Sequence, residues 1–183
     1  MILPPPNSRL AARRGFTLIE IMCVIVIMAI AAAIVFAGLS NQYDLQAESA
    51  ARQVLADMTF AQNYAIATQQ DVYVTFSGNT YSLCSALSPV TTLTNPITQS
   101  AYSNTLGTGA LPNTGLGTVN FGGTAVAGTT YMYFDELGSP WSCNATGGSP
   151  AALPAGGGTI QITAGQEAVT ITIQMDTGDM TVQ

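Results

Sequence analysis

The sequence predicts an α+β protein: a long N-terminal α-helix, membrane-spanning in its first half, packed on an antiparallel β-rich globular domain. Three observations predict it. Phe16 to Leu39 carry a single charge, Glu20, and residues 40–70 contain neither proline nor glycine while repeating small or apolar side chains in steps of three and four. From Asp71 onward the period drops to two, between turns rich in Gly, Asn, Ser and Pro. The boundaries that follow are a leader over 1–15, a membrane helix over 16–39, its amphipathic continuation over 40–70 and a β-rich domain over 71–183.

The leader is basic and contains prolines, with Arg9, Arg13 and Arg14 ahead of Gly15. Positive charge on this side places residues 1–15 in the cytoplasm and the chain beyond Leu39 outside it. The uncharged stretch Ile21 to Leu39 extends roughly 28 Å as a helix at ~1.5 Å per residue, enough for the hydrocarbon core of a bilayer. Glu20 lies inside the longer apolar run from Phe16 to Leu39. An unpaired carboxylate there costs several kcal/mol, so it calls for a cationic partner. A secretory signal carries its cleavage site after the apolar region, whereas this leader ends before it.

In the second half of the helix, Ala47, Ala51, Val54, Met58, Ala61 and Ala65 form one stripe, with Leu55, Tyr64 and Ile66 predicted to widen it. Gly38 is the expected weak point of a single continuous helix, since glycine costs ~1 kcal/mol relative to alanine there. Val72, Val74 and Phe76 then alternate with Tyr73 and Thr75, and Ser77-Gly78-Asn79 turns the chain into a strand over Thr80–Cys84. Further strands are predicted at Thr118–Phe121, Thr130–Asp135, Thr159–Thr163, Ala168–Met175 and Met180–Gln183. Ser85 to Gly117 reads as a long surface excursion with at most one weak strand, and Asn144 to Gly158 as a second polar connection.

Composition narrows the function. The chain has no histidine and no lysine; beyond residue 15 it holds one arginine, Arg52, against ten carboxylates, a formal charge of −9. Nucleic-acid affinity rests on lysine and arginine, so this balance argues against such a partner. Cys23, in the apolar helix, reads as a small apolar residue. Cys84 and Cys143 form an even pair in an oxidising compartment and are the candidate disulfide, which would close a loop of about 60 residues at roughly 4 kcal/mol; two isolated buried thiols are the alternative.

Enzyme chemistry finds little support. Asp176-Thr177-Gly178 matches the triplet of aspartic proteases, yet that chemistry needs two such carboxylates and one copy is present. A hairpin turn accounts for it. Without histidine there is no His-based triad, and Gly156-Gly157-Gly158 lacks the Lys-Ser or Lys-Thr of a phosphate loop. Asp135 and Glu136 are oxygen donors of the kind calcium takes, but no spaced set of carboxylates accompanies them. Asn144-Ala145-Thr146 fits the glycosylation acceptor pattern, one common by chance. No cofactor, metal or catalytic residue is assigned.

The string Gly15-Phe16-Thr17-Leu18-Ile19-Glu20 resembles the signal of type IV prepilins and type II secretion pseudopilins. The resemblance implies that a prepilin peptidase cuts between Gly15 and Phe16 and N-methylates Phe16, and that Glu20 neutralises the new amino group in its own chain or the next subunit. Ala50 to Met58, Ala61, Ala65, Ile66 and the strand Val72–Phe76 look like the GspH/FimT family of minor pseudopilins and minor pilins. Phe134-Asp135-Glu136-Leu137-Gly138 and Thr177 to Val182 are similar to that family's later strand motifs. The family implies a pilin fold incorporated near the tip of a secretion pseudopilus or type IV pilus. Its partners would be other pilins through the N-terminal helix, the peptidase, inner-membrane assembly machinery and, before assembly, membrane lipid. The location implied is the bacterial inner membrane, with the β-rich domain in the periplasm, then the pilus. The alternative is a surface-binding tip subunit, an adhesin or DNA-uptake receptor. Asp179 and Thr181 stand where DNA-binding members carry arginines, and the processed helix lacks the proline that kinks major pilins.

Overall fold

A computed structural model describes residues 16–39, 41–123 and 128–183. The chain divides into two units, residues 1–40 and 41–183. The first contributes one element, α1 (Leu18–Leu39). Thr17 caps it: its hydroxyl accepts the backbone N–H of Glu20 at 3.3 Å, and its carbonyl accepts the N–H groups of Glu20 and Ile21. Threonine followed three residues later by glutamate is the sequence signature of a capped N-terminus. Among the described residues no helix is long and apolar enough to cross a membrane, the side chains of α1 being described only as far as Ala33. Ser40, between α1 and the next helix, lies outside the described residues, and with it the predicted continuity.

The second unit opens with α2 (Asn41–Thr68). Its buried stripe is Ala47, Ala50, Ala51, Val54, Met58, Ala61 and Ala65. Five alanines in seven positions bring the helix backbone close to the strands beneath. The flanks differ from expectation: Leu55 is half-buried, while Tyr64 and Ile66 are exposed, because they lie about 100° per residue away from the alanine line. At the C-terminus Gln69 takes a left-handed φ of 53° and Gln70 N–H bonds back to the Ala65 carbonyl, closing the last turn. A non-glycine is held in that conformation by its own amide, which donates to the Ile66 and Glu136 carbonyls.

Eleven strands follow: β1 (Val72–Ser77), β2 (Thr80–Leu87), β3 (Val90–Thr92), β4 (Ser103–Thr105), β5 (Thr114–Asn120), β6 (Thr129–Phe134), β7 (Pro140–Ser142), β8 (Ala151–Ala152), β9 (Gly158–Ala164), β10 (Glu167–Ile173) and β11 (Met180–Val182). One sheet runs β3-β2-β1-β6-β7-β8, with β4 also on β2; the other runs β11-β10-β9-β5, and the pairings are antiparallel. The two-residue loop Gly78-Asn79 joins β1 to β2, with φ of 55° at Gly78 supplying the twist such hairpins need. Val72, Val74 and Phe76 of β1 face the interior beside Tyr81 and Leu83 of β2, Met132 and Phe134 of β6, and Ile160, Ile162, Ile171 and Ile173 of β9 and β10. Helix α2 packs against β1, β9, β10 and β11, so one core joins it to both sheets.

Two expected loops hold more structure than their composition announces. The stretch from Ser85 to Gly117 contains β3, β4 and the start of β5, and buries Leu93, Tyr102 and Leu106 in the main core. The strands are three residues long or interrupted: β5 carries Gly115, Gly117 and a register shift between Leu116 and Val119, which erases a period of two. The Asn144 to Gly158 connection likewise contributes β8 and buries Leu153. Strand β7 opens on Pro140, a residue tolerated at the first position of a strand.

Candidate functional site

The N-terminal determinant is a helix of exposed apolar side chains headed by one acid. Phe16 is 78% exposed, and Leu18, Ile19, Ile21, Met22, Val24, Ile25 and Val26 are all exposed in the isolated chain. Glu20 lies in the first turn of α1, where the positive end of the helix dipole favours an anion. The leader and Gly15 lie outside the described residues. Cys23 is exposed on α1. Thr17 stands in the signal string, and its spacing from Glu20 announces a capping role that the string alone did not assign.

The β-rich unit is organised by three polar anchors. Asp57, half-buried on α2, accepts hydrogen bonds from the hydroxyls of Tyr81 and Tyr102, the latter at 2.7 Å, and from Asn104 Nδ2 at 2.8 Å. Burial, then the hydrogen bond and charge of Asp57, push both tyrosines far above their ordinary pKa, so both remain donors. This ties the 93–106 excursion to the helix. The signal in the sequence was slight: a single acid beside an apolar stripe.

Gln62 is the second anchor. Its Nε2 donates to the Gly138 carbonyl at 2.9 Å and lies 3.2 Å from the Thr177 carbonyl. The turn after β6 and the turn after β10 therefore meet at one side chain. Both turns need glycine there, since a β-carbon at Gly138 (φ 82°) would stand 2.7 Å from Ile66 Cδ1 and one at Gly178 (φ 67°) 2.5 Å from Gln62 Nε2. Asp176-Thr177-Gly178 forms the β10–β11 turn, with Asp176 exposed and Gly178 N–H bonded to the Gln174 carbonyl.

Asp135 is the third. Its Oδ1 accepts the N–H groups of Leu137 and Ser139 at 2.9 and 2.8 Å, and its Oδ2 accepts Trp141 Nε1 at 3.0 Å. Both oxygens are engaged in shaping the turn. No group of three metal-ligating side chains occurs among the described residues. Asn144 is similarly occupied: its Oδ1 accepts from the Thr146 and Gly148 backbones and the Thr146 hydroxyl.

The predicted bridge between Cys84 and Cys143 is corrected by the structure, in which both are free buried thiols. Strands β1 and β6 stand between β2, which holds Cys84, and β7, which Cys143 follows. Three strand steps of ~4.8 Å separate their backbones by roughly 14 Å along the sheet, beyond the ~4.4–6.8 Å Cα distance a disulfide requires. Tyr73 and Tyr133, with ring centroids 5.4 Å apart, belong to the same small cluster as the two thiols. Burial raises both thiols, Cys143 to about 11 with Asp71 adding to the shift, so they stay protonated at neutral pH.

The one arginine of residues 16–183, Arg52, pairs with Glu48 at 2.6 Å one turn away on an exposed face of α2. Among the described residues no arginine or lysine is left to form a basic patch.

Comparison with known families identifies two regions. Residues 10–36 match the prokaryotic N-terminal methylation motif, and residues 50–178 match the type II transport protein GspH. Comparisons with curated proteins and with solved structures gave no match. The second region runs from the buried face of α2 to the β10–β11 turn and takes in all three anchors. With its methylation motif ahead of an α+β domain matched over more than half its length, the chain belongs to the GspH family of type II transport proteins.

Proposed function

We propose that the protein is a minor pseudopilin or minor pilin, cut between Gly15 and Phe16 by a prepilin peptidase, N-methylated at Phe16, and assembled at or near the tip of a type II secretion pseudopilus or type IV pilus. One observation carries this reading: a capped helix of exposed apolar side chains begins two residues after Phe16 and bears one acid, Glu20, in its first turn. Before assembly the run Phe16 to Leu39 would anchor the chain in the bacterial inner membrane, with the β-rich unit in the periplasm. Lifted into a filament, the same side chains would pack against the helices of other pilins. The role is mechanical.

In this mechanism Glu20 sets register. Removing the leader creates an ammonium group at Phe16, which Glu20 of the same or an adjacent subunit neutralises. In a medium of low dielectric the attraction is strong and a misaligned carboxylate is penalised, so the pair selects one axial position. N-terminal sequencing of membrane-extracted protein is expected to begin at Phe16; a chain still starting at Met1 defeats the proposal. Glu20→Ala should be processed as the parent is, yet cross-link poorly to neighbouring pilins. Equal cross-linking would remove the registry role.

A further inference from the structure

Strand β4 has an open edge. It pairs with β2 through Thr80↔Thr105, Tyr81↔Asn104 and Ser82↔Ser103. The flanking bonds from Leu83 N–H to the Tyr102 carbonyl and from Leu106 N–H to the Asn79 carbonyl show which residues share the ladder. Residues 102, 104 and 106 bond toward β2, so by alternation the backbone groups of Ser103 and Thr105 point away from it. Two of those four groups are used locally: Ser103 N–H bonds to the Ala101 carbonyl, and the Thr105 carbonyl accepts the Thr108 hydroxyl at 2.8 Å. The Ser103 carbonyl and the Thr105 N–H remain. Neither has a partner among the described residues.

That remaining pair, an acceptor and a donor on the same edge, can hold one added strand. An antiparallel neighbour can use them across the wide ring of its ladder, one residue donating to the Ser103 carbonyl and the residue two positions before it accepting from the Thr105 N–H. In parallel pairing one incoming residue donates its N–H to the carbonyl of one residue and accepts the N–H of the residue two further on. Ser103 and Thr105 supply that acceptor and donor, on either side of Asn104, whose amide is fixed to Asp57. The side chains are out of the way, as the Thr105 hydroxyl bonds to that of Thr80 and Ser103 to Ser82. Along this edge lies a cavity of about 370 Å³, bounded by β4, by Gln53 of α2 and by Thr108, Ala110 and Leu111. No charged side chain lines it.

We propose that this slot receives a short, uncharged, extended segment of a neighbouring pilin-type subunit, added beside β4 as an extra strand. The inference rests on the assembly reading above, which makes other subunits the polypeptides this chain must touch. A different subunit fits better than a second copy, because copies bring ten carboxylates each against one internally paired arginine.

The test is photo-cross-linking in the native envelope, using the full-length chain with a photoreactive phenylalanine analogue at position 110, or at position 27 of α1 as reference. Position 110 is expected to capture a different pilin-type subunit. Thr105→Pro removes the donor, and with it the hydroxyl contact to Thr80, while sparing the backbone bonds to β2, and should lower that yield about five-fold, the loss of one hydrogen bond. Position 27 should be unaffected. If urea unfolding shows that Thr105→Pro is misfolded, Gln53→Trp, which fills the slot from the helix side, serves instead. Slot cross-links that survive both variants, or that join only copies of this chain, overturn the inference while persisting position 27 cross-links keep the assembly reading intact. Loss of cross-links at position 27 in the parent chain would strike the assembly reading itself.

Discussion

Gln62 Nε2 donates to the carbonyl of Gly138 at 2.9 Å, across 76 residues of sequence. The contact holds the turn between β6 and β7 against the middle of α2. With Thr177 at 3.2 Å, it also brings in the turn that closes the second sheet. Gln62→Ala should destabilise the β-rich unit by about 1–2 kcal/mol, since a part-buried carbonyl loses its donor. Gly138→Ala should cost at least as much, because its φ of 82° and the Ile66 methyl oppose a side chain. Urea unfolding of the two variants checks both values.

Asp57 makes a sharper case. Asp57→Ala removes one acceptor from Tyr81, Tyr102 and Asn104 together, and Tyr81 is fully buried. A loss of about 2–3 kcal/mol is expected, from donors left without partners. Tyr81→Phe should be milder, as it removes donor and penalty together. If Asp57→Ala unfolds at the parent's urea midpoint, the network contributes nothing.

The free thiols give a third expectation. Ellman titration of the folded unit lacking α1 should find Cys84 and Cys143 unreactive, and both should react once the chain is denatured. Reductant should leave the thermal midpoint unchanged, because there is no covalent loop to open. A midpoint that falls on reduction would restore the bridge that the strand order excludes.

Alkaline pH should weaken the fold. Cys143 is raised from 9.0 to about 11 and Tyr133 from 10.0 to about 12, each chiefly by burial and then by Asp71. The unfolded chain therefore releases these protons first. Stability is full below about pH 9 and declines as pH rises toward 12, since the unfolded state there binds fewer protons than the folded one. Thermal melts at successive pH values should show the midpoint dropping through this window; a flat profile would contradict the burial of these groups.

Much of the architecture is legible in residue order because one physical signal dominates each part. Ile21 to Leu39 is uncharged and apolar, the alanine line from Ala47 to Ala65 repeats at helical steps, and Val72 to Phe76 alternates cleanly. Where two signals compete, the reading weakens. Leu93, Tyr102 and Leu106 are buried among serines, threonines and prolines, and their strands are too short to display a period. The N-terminal methylation motif was legible because it is carried by local sequence. Asp57 and Gln62 were not, for their partners lie 24 to 115 residues away and only the folded chain brings them together. The cysteine pair failed for the opposite reason: counting thiols says nothing about how many strands separate them.

The ion pair of Arg52 with Glu48 leaves residues 16–183 without any spare basic side chain. Adjacent heads of this one polypeptide would therefore repel, over a range set by the Debye length of about 8 Å in physiological salt. Dilute buffer should keep purified heads apart, while added electrolyte, or acidification that protonates the carboxylates, should let them crowd and precipitate.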